Sequence, residues 1–84
     1  MNEELKIELR FFGAFRKHGQ SLQFAVPMGC DIAGVKAALL GALHGQDEAL
    51  IGDSVLADDV SILPSDHVFT VGGALSILPP VCGG

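Results

Sequence analysis

Residues 5–11 have the sequence Leu5-Lys6-Ile7-Glu8-Leu9-Arg10-Phe11, in which apolar and charged side chains alternate. A period of two places every apolar side chain on one face of an extended chain, so the stretch predicts a half-buried strand. Phe12, the next residue, falls on the polar face of that strand. Alternation resumes over residues 22–26 and ends at Pro27, after a turn-like stretch at residues 16–21. Together the two strands predict a β-hairpin.

The next segment has the period of a helix. Its apolar residues recur at steps of three and four: Ile32, Val35, Leu39 and Leu43. This spacing places them along one face of a helix. Asp31 can accept backbone N–H groups at the start of the helix, and Gly45 can end it in a left-handed conformation. Gly34 and Gly41 each cost about 1 kcal/mol relative to Ala, so tertiary packing must hold the helix together.

Further strands are predicted after the helix. Short apolar runs occupy residues 54–57 and 60–63, with Asp58-Asp59 as a turn between them. A last run occupies residues 74–78 after Gly72-Gly73, which predicts a turn into that strand. The order β-β-α-β-β-β predicts an α+β domain, a mixed sheet of about five strands with one main helix packed across one face. If the last strand lies beside the first in the middle of the sheet, the fold is a β-grasp, or ubiquitin-like, fold.

Size and charge exclude several functions. The chain has 84 residues, too few for two domains or for a deep substrate cavity beside a core. We therefore expect no enzyme activity from this chain alone. Its net charge of −5 comes from 10 acidic and 5 scattered basic side chains, which argues against a nucleic-acid partner and favours a basic protein surface.

The sequence also bears on compartment, membrane and metal. Cys30 and Cys82 could form at most one disulfide, with one cysteine near the end of the chain, so we expect reduced thiols and a cytoplasmic protein. Residues 1–4 lack the positive charge of an export signal, and the uncharged run 68–84 contains four Gly and two Pro, so no membrane contact is expected. The His and Cys spacing predicts no metal site.

The final residues differ in character from the rest, and we divide the chain into a domain at residues 1–78 and a flexible tail at residues 79–84. Pro79 and Pro80 favour a stiff, extended path away from the sheet. Gly83 and Gly84 have no side chains, so a terminal carboxylate on Gly84 could enter a narrow channel in another protein. The alternative is a frayed, inert terminus.

The ending Ile77-Leu78-Pro79-Pro80-Val81-Cys82-Gly83-Gly84 resembles that of the small subunit of molybdopterin synthase. That subunit belongs to the wider family of ubiquitin-like sulfur carriers, which includes the thiamine-pathway carrier. Residues 9–13 are similar to the family's first strand, and Asp66-His67 and Gly72-Gly73 also match. The resemblance is most specific over the last six residues and loose between residues 45 and 63.

The resemblance implies a mechanism centred on Gly84. An adenylyltransferase similar to the ubiquitin-activating enzymes would use ATP to form an acyl adenylate, and sulfur from a donor protein would displace AMP. The resulting thiocarboxylate would pass to the large subunit of molybdopterin synthase, where two transfers build the dithiolene of molybdopterin. The chain itself would bind no cofactor stably, since ATP is used by the partner and sulfur is carried covalently on Gly84.

Partner-binding residues follow from strand parity and from the tail. If Leu75 and Ile77 face the helix, Leu78 and Phe12 lie on the open face, where they could bind both partners. We expect the partner-binding residues to be Phe12, Leu78, Pro79, Pro80, Val81, Cys82 and Gly83. The alternative is that loops of the chain cover Phe12 or Leu78. Arg10, Arg16 and Lys17 could contact partner carboxylates or belong to a solvated strand edge.

Cys82 stands where a small residue such as Ser, Thr or Ala is more usual in the family. It is either a tolerated small residue or a thiol that attacks the activated Gly84 or pairs with a persulfide donor. Three other functions stay open: a sulfur carrier of another pathway, a modifier joined through Gly84 to lysines of target proteins, and an interaction module with an inert tail.

Overall fold

A computed structural model of the chain describes residues 3–80. The strands and α-helices are β1 at Glu4–Phe11, β2 at Ser21–Pro27, α1 at Ile32–Ala42, α2 at Glu48–Asp53, β3 at Val55–Ala57 and β4 at Gly73–Leu78. One short 3-10 helix, at Gly13–His18, connects β1 to β2.

The strands form one mixed sheet in the order β2-β1-β4-β3. The hairpin pairs β1 with β2 antiparallel, and β4 lies parallel to β1 on its other side. The short strand β3 pairs antiparallel with β4 at the edge. The last strand therefore lies beside the first in the middle of the sheet, which confirms the predicted β-grasp fold.

The described residues contain four strands rather than about five. Residues 60–63 contribute one isolated bridge, between Ala57 and Ile62, instead of a strand. The Asp58 carboxylate accepts the backbone N–H groups of Val60 and Ser61, at 2.8 Å each, and so forms the predicted turn. Pro64, which has no N–H, follows directly and cannot extend the pairing.

Helix α1 has the predicted start and the predicted buried stripe. The Asp31 carboxylate accepts the N–H of Gly34 at 2.9 Å. The helix ends at Ala42, and the N–H of Gly45 then donates to the Leu40 carbonyl at 2.9 Å. Gly45 is left-handed as predicted, with φ of +81°. Each of the four predicted stripe residues is buried: Ile32, Val35, Leu39 and Leu43.

The core lies between α1 and one face of the sheet. Alternation in β1 is confirmed, since Leu5, Ile7, Leu9 and Phe11 are all buried. Two short helices were not predicted: the 3-10 helix, held by the fully buried Phe15, and α2, held by the buried Ile51. Within residues 3–80, no helix is both long enough and apolar enough to cross a bilayer.

Candidate functional site

The candidate site lies on the open face of the sheet, at the end where β4 finishes. As predicted, Leu75 and Ile77 are buried against the helix side, while Leu78 points to the other face and is half-buried. Val55 is the Cα partner of Leu78 and is 40% exposed. Phe12 directly follows Phe11, which pairs with Ile77, so Phe12 reaches the same end of the sheet as Leu78.

Phe12, Val55 and Leu78 are called the tail-end apolar surface below. Phe12 is 37% exposed and Leu78 is half-buried, so each leaves part of its side chain accessible on this surface. The Arg16 guanidinium carbon lies 5.8 Å from the centroid of the Phe12 ring, a cation–π distance. Arg16 therefore adds a positive charge beside an apolar ring, although the whole chain carries a net charge of −5.

The other two basic residues weighed from the sequence make contacts within the chain. The Arg10 guanidinium lies 2.8 Å from the Asp59 carboxylate, an exposed ion pair that contributes little to stability. The Lys17 Nζ lies 3.1 Å from the Asp47 carboxylate. Lys17 belongs to the 3-10 helix and not to a strand edge. Of the three, Arg16 is the one placed against the tail-end apolar surface.

The chain leaves the sheet through Pro79 and Pro80. Pro79 is half-buried and Pro80 is exposed. A Cβ added to Gly13 would lie 2.8 Å from the Pro79 Cγ, closer than real Cβ atoms approach other heavy atoms. Gly13 also has a φ of +58°, in the left-handed region that favours glycine. Pro79 thus occupies space that opens only because residue 13 lacks a side chain.

The structure brings four of the predicted site residues to one end of the sheet: Phe12, Leu78, Pro79 and Pro80. The others lie outside the described residues, namely Val81, Cys82, Gly83 and Gly84. Gly72-Gly73 leads into β4 as predicted, and a Cβ on Gly72 would lie 2.5 Å from the Lys6 carbonyl oxygen.

Two features of the site were missed in the sequence. Val55 was predicted to lie in a strand. Its position beside Leu78, however, depends on the register of β3 with β4, which no local pattern encodes. The Gly13–Pro79 contact depends likewise on the parallel pairing of β1 with β4. The one sequence signal was the resemblance at residues 9–13, which ends at this glycine.

Residues 3–80 also contain side chains of the kinds that bind metals or act as nucleophiles. Residues 3–80 contain no group of three or more His, Cys, Asp or Glu side chains that could hold a metal ion. Burial, together with the neighbouring Asp31 carboxylate, raises the pKa of the Cys30 thiol, which keeps it protonated and unreactive near neutral pH. The features that residues 3–80 place at this end of the sheet are an exposed apolar surface and the exit of the chain through Pro79 and Pro80.

Comparisons with known proteins identify the fold. No family model and no curated protein sequence matches the chain. Among solved structures, SAMP1 from Haloferax volcanii, a ubiquitin-like small archaeal modifier, superposes with a TM-score of 0.74 at 16% identity, covering 94% of this chain and 99% of that one.

Two further solved structures have the same fold. The HVO 2177 protein of Haloferax volcanii gives a TM-score of 0.74 at 24% identity, covering 96% of this chain and 88% of that one. A protein from Pyrococcus furiosus, described as molybdopterin converting factor subunit 1, gives 0.69 at 17% identity, covering 92% of this chain and 99% of that one. The chain therefore has the β-grasp fold of ubiquitin-like proteins, in the form shared by a small archaeal modifier and a molybdopterin converting factor subunit.

Proposed function

We propose that this chain is a ubiquitin-like sulfur carrier, and that it acts as the small, sulfur-donating subunit of molybdopterin synthase. One observation carries the proposal. The central strand β4 ends at the tail-end apolar surface, and the sequence continues with Pro79 and Pro80 and, after two more residues, Gly83-Gly84. A body with an exposed apolar surface next to its last strand suits delivery of a terminal group into a partner's active site.

Gly84 is the residue that carries the sulfur. Its carboxylate oxygen attacks the α-phosphorus of ATP in the activating enzyme, and pyrophosphate leaves. A hydrosulfide equivalent from a sulfur donor protein then attacks the carbonyl carbon, and AMP leaves with the electron pair of the broken C–O bond. The product is a thiocarboxylate, which the large subunit of molybdopterin synthase accepts and uses to build the dithiolene.

The body contributes binding rather than chemistry. Phe12, Val55 and Leu78 offer apolar area at the point where the tail begins, and burial of the Phe12 ring against a partner would contribute most because aromatic side chains bury the largest area. Arg16 beside Phe12 offers a charge-assisted contact to a partner carboxylate. Pro79 and Pro80 limit the conformations of the tail, which reduces the entropy lost when it enters a channel. Gly83 and Gly84 keep the end narrow, and Val81 and Cys82 lie between as further contacts.

The intact mass tests this function. The chain is incubated with its activating enzyme, ATP and a sulfide source, and we expect the intact mass to rise by about 16 Da. Oxidation of Met or Cys adds nearly the same mass, so a parallel incubation without ATP must show no gain. A variant lacking Gly84 should show no gain. If the wild-type chain stays unmodified while a known carrier is loaded, the sulfur-carrier function is wrong.

A second measurement tests the pathway. The loaded chain is mixed with the large subunit and the cyclic pterin precursor, and we expect loss of the thiocarboxylate together with formation of the dithiolene. A stable thiocarboxylate in this mixture would contradict the molybdopterin assignment and favour another sulfur pathway, such as thiamine synthesis.

A protein-modifier function is the second candidate. It is supported by the superposition on SAMP1, with a TM-score of 0.74 at 16% identity. A modifier would use the same adenylation step and then form an isopeptide bond between Gly84 and a lysine. Tryptic peptides of cellular proteins would then carry a remnant of this chain's C-terminus on lysine, whereas a dedicated sulfur carrier leaves none.

A further inference from the structure

The point where the tail leaves the sheet is a built contact between two residues far apart in sequence. Gly13 lies just after β1, and Pro79 lies just after β4. The parallel register, in which Phe11 pairs with Ile77, brings these two positions side by side. A Cβ on residue 13 would lie 2.8 Å from the Pro79 Cγ and 3.6 Å from its Cδ. The proline ring therefore rests directly against the glycine.

The turn that carries Gly13 is anchored firmly to the core. Gly13 begins the 3-10 helix, and the N–H of Phe15 donates to the Phe12 carbonyl across it at 3.2 Å. Phe15 is fully buried, and its ring centroid lies 6.1 Å from that of Phe11. Because the buried Phe15 side chain packs in the core, the backbone of the turn at Gly13 is held in one position.

Pro79 restricts the direction in which the chain leaves the sheet. Its ring fixes φ at about −65°, and the contact of that ring with Gly13 restricts where the proline lies, so the next residue has fewer orientations. Pro80 follows and stiffens the path in the same way. The contact with Gly13 thus lies at the end of the described residues, directly before residues 81–84 in the sequence.

We propose that Gly13 is a positioning residue for the tail. It provides the space in which Pro79 sits, and it thereby aims Gly84 at the active site of a partner docked on Phe12, Val55 and Leu78. This role rests on the proposed function only in its first step, adenylation of Gly84, which a sulfur carrier and a protein modifier share.

Two other glycines provide matched controls. Gly29 and Gly45 have φ of +89° and +81°, so a side chain at either position meets the same kind of backbone strain as at Gly13. No heavy atom lies within 4 Å of a Cβ added at either position. Gly29→Ala and Gly45→Ala therefore report the strain alone, while Gly13→Ala reports the strain and the displacement of Pro79.

The experiment measures steady-state adenylation by the activating enzyme with each variant as substrate. We expect Gly13→Ala to lower kcat by about tenfold, because small misplacements of a reacting group are costly, and to change KM less than about twofold. Gly29→Ala and Gly45→Ala should keep the wild-type kcat. Thermal unfolding of each variant shows that the compared chains are folded at the assay temperature.

A double-mutant cycle separates positioning from strain. Pro79→Ala removes the ring that residue 13 would displace, and it should lower kcat modestly by itself. In that background, adding Gly13→Ala should cost less than about threefold, since the two positions are coupled. If Gly13→Ala does not fold, Pro79→Ala alone still tests the role, and a wild-type kcat for it would overturn the proposal.

The remaining outcomes are also decisive. An equal fall for Gly13→Ala in both backgrounds, or a wild-type kcat for Gly13→Ala, would overturn the positioning role while leaving the proposed function intact. A wild-type chain that forms no adenylate while a known carrier does would contradict the proposed function, and the positioning role with it.

Discussion

Neighbouring residues at the end of β1 have opposite environments. Phe11 is 2% exposed and belongs to the core, whereas Phe12 is 37% exposed on the open face. An exposed aromatic side chain leaves apolar area in water, which favours its burial by a partner. Arg16 covers part of the Phe12 ring without removing it from solvent. At the scale of single residues, Phe12 is therefore the strongest candidate for a binding anchor.

Replacing Phe12 tests that role. We expect Phe12→Ser to weaken binding to the proposed partner, the large subunit of molybdopterin synthase, by about tenfold or more, since loss of a buried aromatic anchor commonly costs over about 1 kcal/mol. The fold should be kept, because Phe12 packs largely at the surface. Isothermal titration calorimetry with the purified large subunit measures the affinity.

The control for this prediction is Val60→Ser. Val60 is 90% exposed and lies in the connection between β3 and β4, outside the tail-end apolar surface. Its replacement should leave the affinity unchanged. Equal losses for both variants would show that general surface hydrophobicity, and not Phe12, determines binding.

Hydrogen bonds between side chains join the 3-10 helix to the start of α2. His18 and Lys17, at the end of the 3-10 helix, lie 2.7 Å and 3.1 Å from the Asp47 carboxylate, which precedes α2. The His18 ring also contacts Phe11 edge-on, with centroids 6.1 Å apart. Hydrogen bonds from His18 and then from Lys17 lower the pKa of Asp47 below its ordinary value. This carboxylate thus links the 3-10 helix to α2.

The lowered pKa predicts a pH dependence of stability. A carboxylate whose pKa is lower in the folded chain stabilises the fold above its unfolded pKa of about 3.9, and this contribution is lost as pH falls through the folded pKa. We expect Asp47→Asn to be less stable than the wild type at pH 7, and the difference to shrink below about pH 4. Urea unfolding at a series of pH values measures it.

Asn is the suitable replacement because Asp47 has a φ of +61°, a conformation that Asn also tolerates. The variant therefore removes the charge and keeps the backbone. A stability difference that stays constant from pH 7 to pH 3 would contradict the prediction, because it would show that the ionised carboxylate is not the source.

Across the whole molecule, periodic features of the sequence predicted the main elements and the α+β class, while the β-grasp fold was predicted on the condition that the last strand lies beside the first. Alternation in β1 and the stripe of α1 are local signals, and both led to the correct buried faces. The predicted fifth strand does not form among the described residues, because a tight turn at Asp58 and Pro64 limit the pairing of residues 60–63 to one bridge. The 3-10 helix and α2 were missed because each depends on a single buried residue, Phe15 or Ile51, and not on a repeat.

The site was predictable only in part, because some of its contacts depend on the pairing of distant strands. Strand parity was enough to place Leu78 and Phe12 on the open face. The contacts that assemble the site, Val55 with Leu78 and Gly13 with Pro79, join residues more than 20 positions apart through strand pairing. Register between distant strands is a property of the assembled sheet, so no local pattern contains it.

The assembled sheet depends on one central parallel pairing. The pairing of β1 with β4 joins the β1–β2 hairpin to the β3–β4 pair, and it also carries the tail to its exit point. Gly72 lies directly before β4, where a Cβ would approach the Lys6 carbonyl oxygen to 2.5 Å and the Lys6 nitrogen to 3.0 Å. Both atoms belong to the backbone of β1, which cannot move aside as a flexible side chain can.

Gly72→Ala should therefore destabilise the whole domain. Overpacking of this kind costs about 1–3 kcal/mol, a large share of the stability of a small domain, and each 1 kcal/mol lowers Tm by about 4–8 °C. Gly41→Ala is the control: Gly41 lies inside α1 with no heavy atom within 4 Å of an added Cβ, so the higher helix propensity of Ala should keep or raise Tm. Differential scanning calorimetry measures both variants. A wild-type Tm for Gly72→Ala would show that β4 can shift away from β1 at no cost, and the central pairing would then not be what fixes the starting point of the tail.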